Sequence, residues 1–144
     1  MKLLIILLSL YSSFCYSQSI SFGVDYGFLL QYEESNVLQS QSTSPNLTVL
    51  VGNETYKGFV SLGNISRIGF LSMENSIYGG ANYCLNLSKN TLEHGAEIHL
   101  GYYKKIGKER NFTLMIGSSV SMFVVDNRAK LGVRPIVLGI FVTL

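Results

Sequence analysis

The sequence has few charged residues, only 2 prolines and no tryptophan. Of its 144 residues 14% are charged and 47% are hydrophobic, whereas an ordinary soluble domain carries about 25% charged residues. This apolar content excludes a disordered chain. The net charge of +2 provides no basic face, so no nucleic-acid partner is expected. No apolar run reaches the ~18 residues that a membrane-spanning helix needs.

The first 17 residues have the pattern of a secretory signal peptide. Lys2 supplies a positive start, residues 3–10 form an apolar stretch, and residues 12–17 are small and mostly polar. That order is typical of a signal peptide, and it predicts cleavage near Ser17 and Gln18. Cleavage leaves one cysteine, Cys84, which cannot form an internal disulfide and is expected to act as a small apolar side chain.

The rest of the chain alternates between apolar residues and small or polar residues. Ile20, Phe22 and Val24 oppose Ser21, Gly23 and Asp25 in the first such stretch, and a period of two predicts a strand. The same reasoning predicts eight strands, over residues 20–32, 46–52, 55–63, 65–72, 76–87, 92–104, 112–125 and 133–144. Residues 33–45 are predicted to form a polar loop and residues 126–132 a charged loop.

Eight short strands predict an all-β fold, an eight-stranded antiparallel up-and-down β-barrel. Most charged residues fall in the predicted turns, and Asp25 and Glu97 are the main charges in mid-strand, each flanked by glycine on its own face. Such a face would cover a soluble barrel poorly but fits the narrow interior of a membrane barrel. We therefore predict a transmembrane barrel over residues 18–144, preceded by a signal peptide over residues 1–17.

A narrow interior would make an isolated carboxylate costly. We therefore predict that Asp25 and Glu97 pair with Lys57 or Arg67 inside the barrel, and His99 shares the face of Glu97. Together these five residues form a predicted interior polar cluster. No metal or cofactor is expected, because the sequence names no further ligands. Ser119 and Ser121 lack a nucleophile motif, so no enzymatic activity is expected.

Four segments resemble the small outer-membrane β-barrel proteins of Gram-negative bacteria. Residues 66–80 are similar to that family's strand–turn–strand unit, and residues 100–105 resemble a strand that enters a short basic periplasmic turn. Residues 131–135 are similar to the start of a late strand. The last strand has apolar residues at alternate positions, namely Ile136, Leu138, Ile140, Val142 and Leu144. The resemblance implies location in the bacterial outer membrane, contact with membrane lipid and lipopolysaccharide, and recognition of the C-terminal strand by the barrel-assembly machinery.

The expected function is structural or interaction-based, with an interior too narrow for a general solute pore. A secreted soluble β-barrel that carries a small apolar ligand is the first alternative, and the absence of tryptophan weighs against it. A lipid-modifying outer-membrane enzyme is the second alternative.

Overall fold

The computed structural model describes residues 19–32, 38–42, 45–86, 92–125 and 128–144. They form nine strands: β1 (Ser19–Tyr32), β2 (Leu38–Ser42), β3 (Asn46–Gly52), β4 (Tyr56–Leu62), β5 (Ile65–Glu74), β6 (Ile77–Asn86), β7 (Glu93–Ile106), β8 (Phe112–Val125) and β9 (Arg128–Thr143). No helix in these ranges is long and apolar enough to cross a membrane. The predicted signal peptide, residues 1–17, lies outside the described residues.

The strands close into a barrel because β1 pairs with β9 as well as with its neighbours in sequence. On its other edge, β1 pairs with β3 through its first half and with β2 through its last five residues. The segments β2 and β3 thus occupy one position in the wall, one after the other. All pairings are antiparallel, and the barrel has eight strand positions, which confirms the predicted fold class.

The stagger of the barrel follows from the register of neighbouring strands. Starting at Phe22 on β1, the register partners are Val49, Val60, Ile68, Tyr83, Ala96, Met122, Leu131 and Tyr32. The path returns to β1 ten residues further along the strand. In eight strands this stagger corresponds to a tilt of roughly 40°, and it leaves an interior that side chains can fill.

Two predicted loops contain strand instead. Residues 126–132 were expected to form a charged loop, but β9 begins at Arg128 and pairs with β8 from Val125 onward. Lys130 faces the interior and binds Glu93 there, so its charge does not oppose strand formation. Residues 33–45 were expected to form a polar loop, but β2 lies within them, because its backbone extends the ladder of β1.

A β-bulge at Pro135 sets which side chains of β9 point inward. Ser119 pairs with Arg134 and Gly117 pairs with Val137, so two residues of β9 oppose one residue of β8. Proline has no N–H to donate to the ladder and is tolerated at such bulges. As a result Arg134 and Val137 both line the interior, although three positions separate them.

The outward face of the barrel is apolar over most of its height. Its exposed side chains include Phe22, Val60, Phe70, Ile98, Leu100, Ile116, Val120, Met122, Leu138 and Ile140. In the described strands the exposed charged residues are Glu74, Lys104 and Arg128, each within three residues of a strand end. An apolar outer face around a polar interior is the arrangement of a transmembrane barrel.

Substitutions along β7 test this outward face. Ile98→Lys, in the middle of β7, is expected to lower the free energy of unfolding by about 2–4 kcal/mol, because lysine at mid-depth faces hydrocarbon. Ile106→Lys, at the end of the same strand, should cost at most about 1 kcal/mol. Urea titration of both variants in phospholipid vesicles measures the difference. Equal costs at the two positions would contradict a lipid-facing β7.

Candidate functional site in the barrel interior

The inward side chains form alternating polar and apolar layers along the barrel axis. We call the end with Ser19 and Thr143 the terminal end and the opposite end the distal end. The distal polar layer comprises Gln31, Asn86, Glu93 and Lys130. With the distal end taken as the top of the barrel, the next layer down is the upper apolar cluster, which comprises Leu29, Ile65, Cys84 and Phe123.

Two further layers lie nearer the terminal end. The central charge layer comprises Asp25, Asn46, Thr48, Ser61, Arg67, Asn82, Glu97, Ser119 and Arg134. The lower apolar cluster comprises Leu50, Phe59, Leu71, Met73, Tyr78, Met115 and Phe141. Every residue of these two layers is buried, so the interior is a packed core.

The first ion pair of the central charge layer joins Asp25 on β1 to Arg67 on β5. Ser61 Oγ lies 3.2 Å from Asp25 Oδ1, and Thr48 also donates to that oxygen. Asn46 Nδ2 lies 3.5 Å from the other carboxylate oxygen. The hydrogen bonds offset the desolvation that the buried carboxylate would otherwise suffer.

The second ion pair joins Glu97 on β7 to Arg134 on β9. Arg134 Nε lies 2.9 Å from Glu97 Oε1 and 2.9 Å from Ser119 Oγ. Asn82 Nδ2 donates to the other oxygen of Glu97 at 3.0 Å, and Ser119 donates to Oε1. Both carboxylates of the layer are therefore held by a guanidinium and by neutral donors.

A third buried carboxylate, Glu93, lies in the distal polar layer and is fully buried at 0% exposure. It accepts hydrogen bonds from Gln31 at 2.9 Å, from Asn86 at 3.0 Å and from Lys130 at 3.2 Å. This group joins β1, β6, β7 and β9 near the distal end. Sequence reasoning missed it, because Glu93 and Lys130 were assigned to a strand start and to a loop.

The five residues of the predicted interior cluster all face the interior, but not as one group. Asp25 and Arg67 form an ion pair. The partner of Glu97 is Arg134 rather than Lys57 or Arg67. Lys57 lies at the terminal end, where its Nζ donates to Ser19 Oγ at 2.7 Å. Arg134 was missed because its inward direction depends on the bulge at Pro135.

His99 lines a cavity of about 50 Å³ between the central charge layer and the lower apolar cluster. Its ring centroid lies 5.7 Å from that of Phe59 and 6.1 Å from that of Tyr78. Arg67 and Arg134 also line this cavity. The three side chains have hydrogen-bonding atoms without a protein partner, at His99 Nε2, Arg67 Nε and Arg134 Nη1. A cavity of this size can hold a few water molecules, and these polar atoms on its otherwise largely apolar wall would bind them.

Glycines make room for the large rings of the interior. A Cβ at Gly117 would overlap the hydroxyl oxygen of Tyr78 and the carbonyl oxygen of Leu100. A Cβ at Gly139 would lie 2.7 Å from Cε2 of Phe141. These two inward glycines therefore lie where a ring from another strand, Tyr78, or from the same strand, Phe141, fills the space.

The closed eight-stranded sheet, the apolar outer face and the charged interior define an outer-membrane β-barrel fold. Among solved structures, the chain is similar to the outer membrane protein AlkL, determined by solid-state NMR in DMPC lipid bilayers, with a TM-score of 0.50 and 9% sequence identity. The match covers 90% of this chain and 92% of that chain. It confirms, at the level of the fold, the resemblance to small bacterial outer-membrane barrels. No protein-family model matches the chain, and no curated protein matches it.

A double-mutant cycle tests the second ion pair. Arg134→Met is expected to lower the free energy of unfolding by about 3–5 kcal/mol, because it leaves the buried carboxylate of Glu97 without its cation. Adding Glu97→Gln should recover part of that loss. Lys105→Met is the control, since it breaks an exposed ion pair and should cost less than about 1 kcal/mol. Urea unfolding in vesicles measures the free energy of unfolding of each variant. If the losses caused by Arg134→Met and Glu97→Gln simply add in the double variant, the two side chains are not coupled.

A pair of glycine substitutions tests the packing of the rings. Gly117→Ala is expected to destabilise the barrel by about 1–3 kcal/mol, because its methyl group would overlap filled space. Gly58→Ala is the control, because its Cβ would meet its nearest atoms at 3.8 and 3.9 Å. The same unfolding assay compares them, and a Gly117→Ala variant as stable as Gly58→Ala would contradict a filled interior.

Proposed function

We propose that the protein is a closed outer-membrane barrel with a structural or interaction role, and that it does not conduct solutes. The observation that carries this proposal is the filled interior. The upper apolar cluster, the central charge layer and the lower apolar cluster follow one another along the axis, and all their members are buried. The cavity of about 50 Å³ between the last two layers holds water-sized molecules only.

The positions of the turns support an orientation in the membrane. Ser19 and Leu144 lie at the terminal end, together with the connections at residues 53–55, 75–76 and 107–111. The connection at residues 107–111 follows residues 100–105, which resemble a strand that enters a short basic periplasmic turn. We infer that the terminal end faces the periplasm and that the distal end faces the outside of a bacterial cell.

The outward face supports the proposed surroundings. Membrane lipid and lipopolysaccharide would contact the apolar side chains of the outer wall. Apolar residues alternate along β9 at Ile136, Leu138, Ile140 and Val142, and all four are exposed. The barrel-assembly machinery would recognise this strand, as the sequence resemblance implies.

The two alternatives receive less support. A soluble carrier of an apolar ligand needs an apolar cavity of about 300–1,000 Å³. The central cavity is about 50 Å³, and the recess of about 770 Å³ at the terminal end is lined by charged residues that include Lys57, Lys105 and Glu54. A lipid-modifying enzyme needs a nucleophile that reaches lipid. Ser119 is buried and hydrogen-bonded to Glu97 and Arg134, so it does not reach lipid. The carrier and the enzyme are therefore both less well supported than a closed barrel.

Liposome swelling tests the proposal. Proteoliposomes that contain the protein are expected to swell in arabinose no faster than empty liposomes, because the apolar clusters and the central charge layer block the barrel axis. A general porin reconstituted in the same lipid is the positive control. Swelling at the rate of the porin would refute a closed barrel.

A further inference from the structure

The terminal end of the barrel opens into a recess of about 770 Å³, which we call the terminal vestibule. Its wall carries three cationic residues, Lys57, Lys105 and Arg110, and two acidic residues, Glu54 and Glu109. Leu50 and Met73 of the lower apolar cluster also border it, so the vestibule ends where that cluster begins. A recess of this volume is in the range of small-ligand sites, and it requires no passage through the barrel.

Lys57 is the unusual residue of the terminal vestibule. The residue is 7% exposed, and its Nζ donates a hydrogen bond to Ser19 Oγ at 2.7 Å. In the described part of the chain, no carboxylate lies within ion-pair distance of it. An ammonium group carries three N–H donors, and a buried cation without a counter-ion is costly. Lys57 therefore differs from the other buried cations, Arg67 and Arg134, which are neutralised by carboxylates.

A second lysine reaches the same recess from the opposite wall. Lys105 on β7 has its Nζ 3.7 Å from Glu54 Oε1, and the Glu54 side chain is 93% exposed. An exposed ion pair at this distance contributes little and is easily exchanged for another anion. Arg110, in the turn between β7 and β8, adds a third cation to the wall.

We propose that the terminal vestibule binds a phosphate group, either free phosphate or the phosphate monoester of a lipid headgroup, between the ammonium groups of Lys57 and Lys105. Phosphate oxygens are strong acceptors for charged donors, and the anion neutralises the buried charge of Lys57. The remaining volume accommodates the group that carries the phosphate. This site goes beyond a closed barrel with a structural or interaction role, because it assigns a ligand to the terminal end.

Titration of inorganic phosphate into the full chain in maltoside micelles tests the site, with the ¹⁵N chemical shifts of the lysine Nζ groups as the readout. Phosphate is expected to shift the Lys57 and Lys105 resonances. Lys57→Met should weaken binding about tenfold or more, because a charge-assisted hydrogen bond contributes about 1.5–3 kcal/mol. Lys108→Met is the matched control, since Lys108 is exposed and does not line the vestibule, and it should leave the affinity unchanged.

A second arm distinguishes the source of the phosphate. The protein is placed, without free phosphate, in vesicles of phosphatidylcholine alone or of equal parts phosphatidylcholine and phosphatidic acid. If the lysine resonances shift with inorganic phosphate but not with phosphatidic acid, the ligand is a free anion. If they shift with phosphatidic acid but not with inorganic phosphate, the ligand is a lipid headgroup. If the Lys57→Met variant fails to fold, two other variants take its place. Lys57→Arg should retain phosphate binding, and Lys105→Gln should weaken it. Absence of a shift in both arms, or wild-type affinity in Lys105→Gln and Lys57→Met, overturns the proposal.

Discussion

The pairing of β1 with β9 is the constraint on which the rest of the structure depends. In lipid every backbone N–H and C=O group must find a partner within the protein, and a closed barrel satisfies that need for strands. Across this seam the hydroxyl oxygens of Ser21 and Thr143 lie 2.8 Å apart. Once the sheet is closed, alternation along each strand gives one face to the surroundings and the other to a narrow interior.

The narrow interior then determines which side chains can occupy it. Gly117 leaves space for the ring of Tyr78, and Gly139 leaves space for the ring of Phe141. Among the described residues the buried carboxylates are Asp25, Glu93 and Glu97, and each receives a cation and neutral donors. Asp25 on β1 pairs with Arg67 on β5, and Glu97 on β7 pairs with Arg134 on β9, so each ion pair of the central charge layer links two strands that share no backbone ladder. The same packing closes the barrel axis, while the terminal vestibule stays open to water.

Much of the fold could be predicted from the sequence, because strict alternation in β1, β7 and β8 admits no other regular structure. The strand β2 and the start of β9 could not, since their pairing with neighbours, rather than their composition, makes them strands. The cost of burying a carboxylate pointed to Asp25, Arg67 and Glu97. It could not identify Arg134, whose direction depends on a bulge, nor the terminal vestibule, which is formed by residues far apart in the chain.

Transfer of magnetisation from lipid in solid-state NMR tests the central claim, which is that the apolar face points outward and the charged face inward. In the wild-type protein in phospholipid bilayers, acyl-chain protons are expected to transfer strongly to the methyl groups of Ile68, Ile98, Ile116 and Ile140, which are exposed on the outer wall. Ile65, which is 2% exposed and belongs to the upper apolar cluster, is the internal control and should receive none. Strong transfer to Ile65, or transfer from water alone to the four outward isoleucines, would contradict the account.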